Sequence, residues 1–406
     1  MELKTPLITL IATMVSQGLF FVCIFLINKL FGPASLGQFN KLLSVGMFVG
    51  TVAALRYDLA CVSTSPGKSF NAMVHVFPLG IAVSMLLALV LYPTGEIPFV
   101  ACLFAIGFLS QLLLTSYYSS ARKFHFGNLP RTVASAIFLA ALPFLMRSKA
   151  TDGNSLFVYY TFATLASTAL FVIFIWRRES ENLALETDFF WEHRRFALLT
   201  LPSTLCNSVF HYALPIVIPD WFGDEIAGHF AFAYRFGFFP VSLCSQSIAG
   251  IIRRESMAAL AVPDGGTKLM DFVWSYFKAL IVLSGLYALV AVVVAVVAQR
   301  AFGPNKWTAS ADYLLCMVPM FVGQLVFMPM SQTFLVTKAQ RTDFLIQFTT
   351  ALSLIGVLGI SRYFAFSAIQ ATLAFSLVGA AIMLAGSVIV ITTLKAFLKT
   401  PASVTS

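Results

Sequence analysis

Charged residues are scarce in this chain. Only 11% of its 406 residues are Asp, Glu, Lys or Arg, whereas 59% are hydrophobic; soluble domains carry about 25% charged residues. The apolar runs recur along the whole length at about 20 residues each, which is the length a helix needs to cross a bilayer. They lack the two-residue alternation of membrane β-strands. This excludes a soluble fold and predicts an all-α polytopic membrane protein, since its helices satisfy their own backbone hydrogen bonds.

Features of several functional classes are also missing. The six cysteines all fall inside apolar runs without paired spacing, which argues against a disulfide framework and a cysteine-based metal site. There is no ATP-binding loop, no loop long enough to hold a soluble domain, and no candidate catalytic residue. We therefore expect no cofactor, no metal and no nucleic-acid partner. Glu2 and an apolar run longer than about 20 residues predict a retained first helix, not a signal peptide.

The apolar runs predict twelve transmembrane spans. Their approximate limits are 7–30, 42–64, 70–92, 97–120, 128–146, 155–176, 196–219, 228–252, 272–299, 309–336, 343–361 and 367–394. With the N-terminus inside, sixteen of the 26 Lys and Arg residues face the cytoplasm, seven face outward and three lie within spans. The positive-inside rule therefore predicts that both termini are cytoplasmic.

A short motif occurs once near the start of each half. It reads FGPASLGQF from Phe31 to Phe39 and FGDEIAGHF from Phe222 to Phe230. Both stretches are predicted outer loops separated by six spans, so the two halves insert in the same orientation. This indicates two six-helix bundles, residues 1–185 and 186–406, related by a parallel pseudo-two-fold repeat. We interpret Gly32 and Gly223 as helix caps. Two six-helix bundles without a soluble domain predict a transporter whose substrate path lies between the bundles.

Charged or titratable side chains inside the spans are the candidate functional residues, because they are costly in a membrane. They are Arg56, Asp58, His75, His211, Arg235 and Lys278. We predict that Arg56, Arg235, Lys278 and His211 bind substrate, and that Asp58 and His75 couple transport to an ion. Each also has a structural alternative: the long basic chains can snorkel to an interface, the histidines can serve in helix packing, and Asp58 can offset Arg56.

The sign of these charges indicates the class of cargo. Away from the span ends, three basic groups face one acidic group, so the interior is cationic and suits an anionic cargo. Arginine in particular binds phosphate through paired hydrogen bonds. An exporter of cationic drugs would need buried carboxylates instead.

Three segments resemble Wzx-type polysaccharide flippases of the MOP exporter superfamily. They are LFGPASLGQFNKLLSVGMFVGTVAALRYDLACV, the stretch from LPSTLCNSVFHYALP to GIIRRES, and AFGPNKWTASADYLLCMVPMFVGQLVFMPMSQTF. The resemblance implies a flippase of the bacterial inner membrane. Such a protein moves a polyprenyl-diphosphate-linked oligosaccharide to the outer leaflet by alternating access, beside the glycosyltransferases and polymerase of the same pathway. Arg56 and Arg235 match family positions, whereas Lys278, His75 and His211 rest on the residues alone.

Two alternatives from other classes stay open. A drug or small-molecule antiporter of the same superfamily would share the fold but need carboxylates inside it. A polytopic membrane glycan polymerase or ligase would be an enzyme, and would need a large outer loop with catalytic side chains, which the sequence lacks. We therefore expect no enzymatic activity.

Overall fold

Twelve long helices make up most of the residues that the structure describes. The computed structural model describes residues 4–63, 65–91, 99–147, 152–184, 186–260, 265–301, 306–337 and 339–399. The helices are α1 (Lys4–Phe31), α2 (Pro33–Ala53), α3 (Pro66–Leu91), α4 (Phe99–Ser120), α5 (Leu129–Arg147), α6 (Gly153–Glu179), α7 (Leu201–Phe222), α8 (Asp224–Leu260), α9 (Gly265–Ala301), α10 (Lys306–Met330), α11 (Gln340–Tyr363) and α12 (Ala368–Lys399). Each overlaps one predicted span, and the described residues contain no strand, which confirms the all-α fold class.

Ten helices in the described part of the chain are long and apolar enough to cross a membrane by length and composition. The two long helices outside that set are α2 and α8, which occupy equivalent positions in the two repeats. Both begin at the repeated loop and carry several small and polar residues. A helix rich in such residues suits contact with other helices more than contact with lipid.

The repeated loops have the same backbone shape. A single glycine separates α1 from α2 and α7 from α8, with φ and ψ of 89° and 169° at Gly32 and of 90° and 162° at Gly223. Positive φ values of this kind are strained for any residue with a Cβ. The predicted helix caps are confirmed, and the two halves of the sequence do repeat one structural unit.

The chain divides into two compact units, residues 1–232 and 233–406. In the first unit α2, which is outside the set of membrane-spanning candidates, packs against α1, α3, α4, α6 and α7 and so occupies the centre. The G-x-x-x-G pair of α2 permits its close contact with α4. A Cβ on Gly46 or Gly50 would lie within 3.1 Å of a backbone carbonyl of α4, so a larger residue would push the two helices apart. In the second unit α10 packs between α9 and α12, and α11 pairs with α12. The predicted domain boundary falls at residue 185, outside the described residues, and stays a prediction.

Span 2 differs from the prediction in its limits. We predicted a span over 42–64, but α2 ends at Ala53 and a turn follows, in which Leu55 and Arg56 have φ of 44° and 64°. Left-handed conformations of this kind cost about 1–3 kcal/mol each and end a right-handed helix. Arg56 and Asp58 therefore lie in the connection between α2 and α3 and not inside a helical span, which corrects their predicted placement.

Candidate functional site

The two repeated loops meet each other in the first unit. A Cβ on Gly37 would overlap the carbonyl oxygen of Asp224, and a Cβ on Gly228 would overlap the carbonyl of Pro33. The glycine of each motif therefore lies against the backbone of the other motif. Only glycine permits such an approach, because side-chain rotation cannot relieve an overlap with backbone atoms. We call this contact between the starts of α2 and α8 the loop junction.

Polar side chains join the helices at the loop junction. Gln38 of α2 donates a hydrogen bond from Nε2 to Oδ2 of Asp224, at 2.8 Å, and accepts one at Oε1 from the backbone N–H of Gly153, at 3.0 Å. One amide thus links the N-termini of α8 and α6. Lys41 of α2 forms an ion pair with Asp220 near the end of α7. Residue types and spacing did not single out these side chains, although the repeated motif pointed to their neighbourhood.

The turn after α2 contains a largely buried ion pair. Nη1 of Arg56 lies 3.5 Å from Oδ2 of Asp58, with 21% and 8% of the two side chains exposed. In the described part of the chain, Nε of Arg56 and Oδ1 of Asp58 have no hydrogen-bond partner. Burial raises the pKa of the Asp58 carboxyl, and the Arg56 charge partly offsets this. The pair is therefore under-satisfied, which is costly for structure alone.

The surrounding residues hold this strained turn in place. The hydroxyl of Ser116 in α4 donates to the Asp58 carbonyl at 3.1 Å, and Tyr57, between the two charged residues, packs in a buried apolar cluster formed mainly with α3 and α4. Tyr117 belongs to the same cluster and donates to Oε1 of the buried Glu179 at 2.7 Å. The predicted spans did not include Glu179, because it ends α6 beside two arginines.

His75 binds the segment that joins the two predicted bundles. Its Nδ1 lies 2.7 Å from the carbonyl oxygen of Asn71, one turn earlier in α3, and its Nε2 accepts a hydrogen bond from the backbone N–H of Glu186 at 3.2 Å. The Phe189 ring lies between the imidazoles of His75 and His193, with centroids 4.9 and 4.7 Å away. These contacts give His75 a defined role in docking the connecting segment, whereas its ion-coupling role stays a prediction.

The structure gathers three of the six candidates. Arg56, Asp58 and His75 lie at one end of the first unit, connected through Tyr57, whose ring contacts Phe189 of the connecting segment. His211 belongs to the same unit but lies within α7, beside Phe210 and Tyr212.

The other two candidates lie in the second unit. Arg235 is half-buried in α8, and Lys278 lies on an exposed face of α9 with its Nζ 5.4 Å from the Trp274 ring centroid. That position suits snorkelling or a membrane interface. A further acid, Asp343, lies in the first turn of α11, and its Oδ1 has no hydrogen-bond partner in the part that the structure describes. None of these placements tests the predicted roles.

The described residues contain no group of three or more His, Cys, Asp or Glu side chains that could hold a metal ion. All six cysteines are free. What the described residues offer chemically is a set of buried or half-buried charges in the turn after α2 and polar contacts at the loop junction.

Comparisons with known proteins identify the fold. No protein-family profile and no curated protein matches the sequence. Among solved structures, an inward-facing multidrug resistance MATE family transporter of the MOP superfamily matches with a TM-score of 0.69 and 15% identity, over 98% of this chain and all of the other. The lipid II flippase MurJ, in an inward closed conformation, matches with a TM-score of 0.64 and 14% identity, over 97% and 88% of the two chains.

An outward-facing MATE family transporter of the MOP superfamily also matches, with a TM-score of 0.62, 14% identity and coverage of 98% and 97%. Identities this low do not establish a family or a substrate, but the coverage leaves no large part of the fold unmatched. This chain is a multi-pass membrane protein with the fold shared by MATE transporters and the lipid II flippase MurJ.

Proposed function

We propose that this protein is a transporter that flips a polyprenyl-diphosphate-linked oligosaccharide from the cytoplasmic to the outer leaflet of a bacterial inner membrane. The observation that carries the proposal is a fold matched along 97% of the chain by a lipid flippase, in a sequence whose predicted spans hold mainly basic groups. Both termini are proposed to be cytoplasmic, and the enzymes that build and polymerise the glycan are the proposed partners.

The charge pattern favours an anionic lipid-linked cargo over a cationic drug. Asp58, the acid in the turn after α2, is already paired with Arg56 at 3.5 Å. A carboxylate that is neutralised by an arginine is a weak site for a cation. The arginines Arg56 and Arg235 are proposed to bind the diphosphate in turn, since guanidinium groups match phosphate oxygens in pairs. Lys278 and His211 are proposed as further contacts along the path.

The loop junction supports a mechanism of alternating access. The junction consists of an ion pair, a 2.8 Å hydrogen bond and two close contacts between a glycine and a backbone carbonyl. It joins α2 to the start of the second repeat at the predicted outer ends of both. We propose that it is the outer gate, which must open to release the glycan outward and close again before the next cycle.

The gate is tested by crosslinking. In a cysteine-free background, Lys41→Cys and Asp220→Cys are joined by a short bifunctional thiol reagent with a cleavable disulfide. We expect the crosslinked protein to lose transport and the cleaved protein to regain it, while each single-cysteine protein treated in the same way keeps it. Full transport by the crosslinked protein would show that the junction is a permanent joint.

The proposed substrate is tested in proteoliposomes with the purified protein. A lipid-linked oligosaccharide is placed on one leaflet and its appearance on the other is measured, beside uptake of a cationic dye. The MATE likeness and the half-buried Asp343, whose Oδ1 is buried without a hydrogen-bond partner among the described residues, favour a drug antiporter as the second candidate. Dye transport without glycan movement would establish that candidate and overturn the flippase proposal.

A further inference from the structure

A cleft separates the start of α9 from the end of α12 in the second unit. Its volume is about 640 Å³, and it opens at the surface. Residues of both helices line it: Gly266, Thr267 and Met270 of α9, and Lys395, Leu398 and Lys399 of α12. Both helices are long and apolar enough to span a membrane. Because the cleft lies at their ends, it lies near the membrane surface.

The inner part of the cleft is apolar. Met270 and Leu398 are half-buried, whereas Thr267 at the opening is exposed. A Cβ on Gly266 would lie only 3.0 Å from Cδ2 of Leu398, so the two helices approach each other closely at this point. This contact holds the last turns of α12 beside the first turns of α9.

The opening of the cleft is positively charged. Lys395 and Lys399 are exposed and lie four positions apart on α12, so their side chains share one face. The lining residues that the structure describes include no acid, and the three ion pairs among the described residues involve neither lysine. On α9 the exposed Lys268 and Asp271 carry opposite charges next to the cleft. The two lysines of α12 therefore give the opening a net positive charge.

Apolar side chains continue from the cleft towards the middle of both helices. Trp274, one turn after Met270 on α9, is 40% exposed, and Val388, two turns before Lys395 on α12, is 54% exposed. Two turns of helix span about 10 Å, and tryptophan is typical of the membrane interface. A ligand that matches this surface therefore carries an anionic group at one end and hydrocarbon at the other, which favours a lipid over free phosphate.

We propose that this cleft binds the headgroup of an anionic phospholipid, with its phosphate at Lys395 and Lys399. The acyl chains of this lipid lie along Trp274 of α9 and Val388 of α12. Basic pockets between transmembrane helices on the cytoplasmic side are typical sites for anionic headgroups, and the predicted orientation places this end of α9 and α12 on that side. The site does not depend on which cargo the protein moves, because neither lysine is a proposed cargo contact.

The test uses the full-length protein in nanodiscs of phosphatidylcholine with a small fraction of phosphatidylglycerol that carries a photoreactive group beside its phosphate. Irradiation followed by peptide mapping should place the label on the start of α9 and the end of α12. A lysine near an anionic lipid strengthens binding by roughly fivefold. Lys395→Gln with Lys399→Gln should therefore lower the labelling of the cleft at least fivefold.

Two control proteins separate a specific site from a general charge effect. Arg122→Gln with Lys123→Gln removes two exposed cations beyond the end of α4 in the first unit, so it has the same net charge and should leave the labelling of the cleft unchanged. Lys395→Arg with Lys399→Arg keeps both charges and should keep the labelling. All proteins are compared at equal amounts of folded material.

Three results would overturn the proposal. Equal labelling of the cleft by photoreactive phosphatidylcholine would show that bulk lipid fills it. Displacement of the label by millimolar inorganic phosphate, but not by unlabelled phosphatidylglycerol, would show a site for free phosphate. Undiminished labelling of the protein with Lys395→Gln and Lys399→Gln would show that the two lysines do not hold the headgroup.

Discussion

The substitution Gly228→Ala tests the loop junction most directly. A Cβ at this position would overlap the backbone carbonyl of Pro33, and neither helix can relieve this by rotating a side chain. Overpacking in a tightly packed region costs about 1–3 kcal/mol. If that cost falls only on the closed junction, the ratio of closed to open protein should fall by roughly 5- to 150-fold.

The closed population is measured by the yield of the crosslink between Lys41→Cys and Asp220→Cys. Gly228→Ala should lower this yield and slow transport, while the protein is still inserted at a normal level. The matched control is Gly285→Ala in α9, where a Cβ would meet nothing within 4 Å. Replacing a glycine by alanine in an open helical position stabilises by up to about 1 kcal/mol, so this control should be neutral or slightly stabilising.

The reasoning would be refuted if the two variants gave the same crosslink yield and the same transport rate. In that case the close approach of the two loops would not limit opening or closing, and the junction would have no gating role. A lower yield with unchanged transport would also count against the gate, because closure would then be irrelevant to the cycle.

Three further predictions concern other parts of the molecule. Arg235→Ala should abolish most glycan translocation at a normal protein level. Arg235→Lys should restore only part of it, because an ammonium cannot bind phosphate in the paired geometry. Full transport by the alanine variant would remove Arg235 from the proposed site. Ala365 has φ of 52° in the turn after α11, so Ala365→Gly should raise the thermal stability of the purified protein by up to about 1 kcal/mol, whereas Ala351→Gly inside α11 should lower it. Reporter fusions after Arg147 should read periplasmic and those after Glu186 cytoplasmic, and the reverse result would overturn the predicted orientation.

Composition and run length were enough to predict the fold class of this protein. A chain with so few charges and so many long apolar runs has no other way to satisfy its backbone in a bilayer than as helices. The number and order of the helices followed from the same runs. The repeated F-G-x-x-x-x-G-x-F loop predicted the internal repeat. A tight turn between two helices needs a residue that tolerates positive φ, and this local requirement is visible in the sequence as a glycine at the same place in each half.

Helix limits and contacts needed the tertiary structure. The break after Ala53 was invisible in the sequence, since Leu55 and Arg56 are not residues that usually adopt left-handed backbone; packing of Tyr57 and hydrogen bonding to Ser116 hold them there. The pairing of Gln38 with Asp224 spans 186 positions, and no local pattern encodes which of many polar residues will meet over that distance. Local propensity determines where helices form, whereas the meeting of distant side chains depends on how all the helices pack together, and this is why only the structure revealed the loop junction.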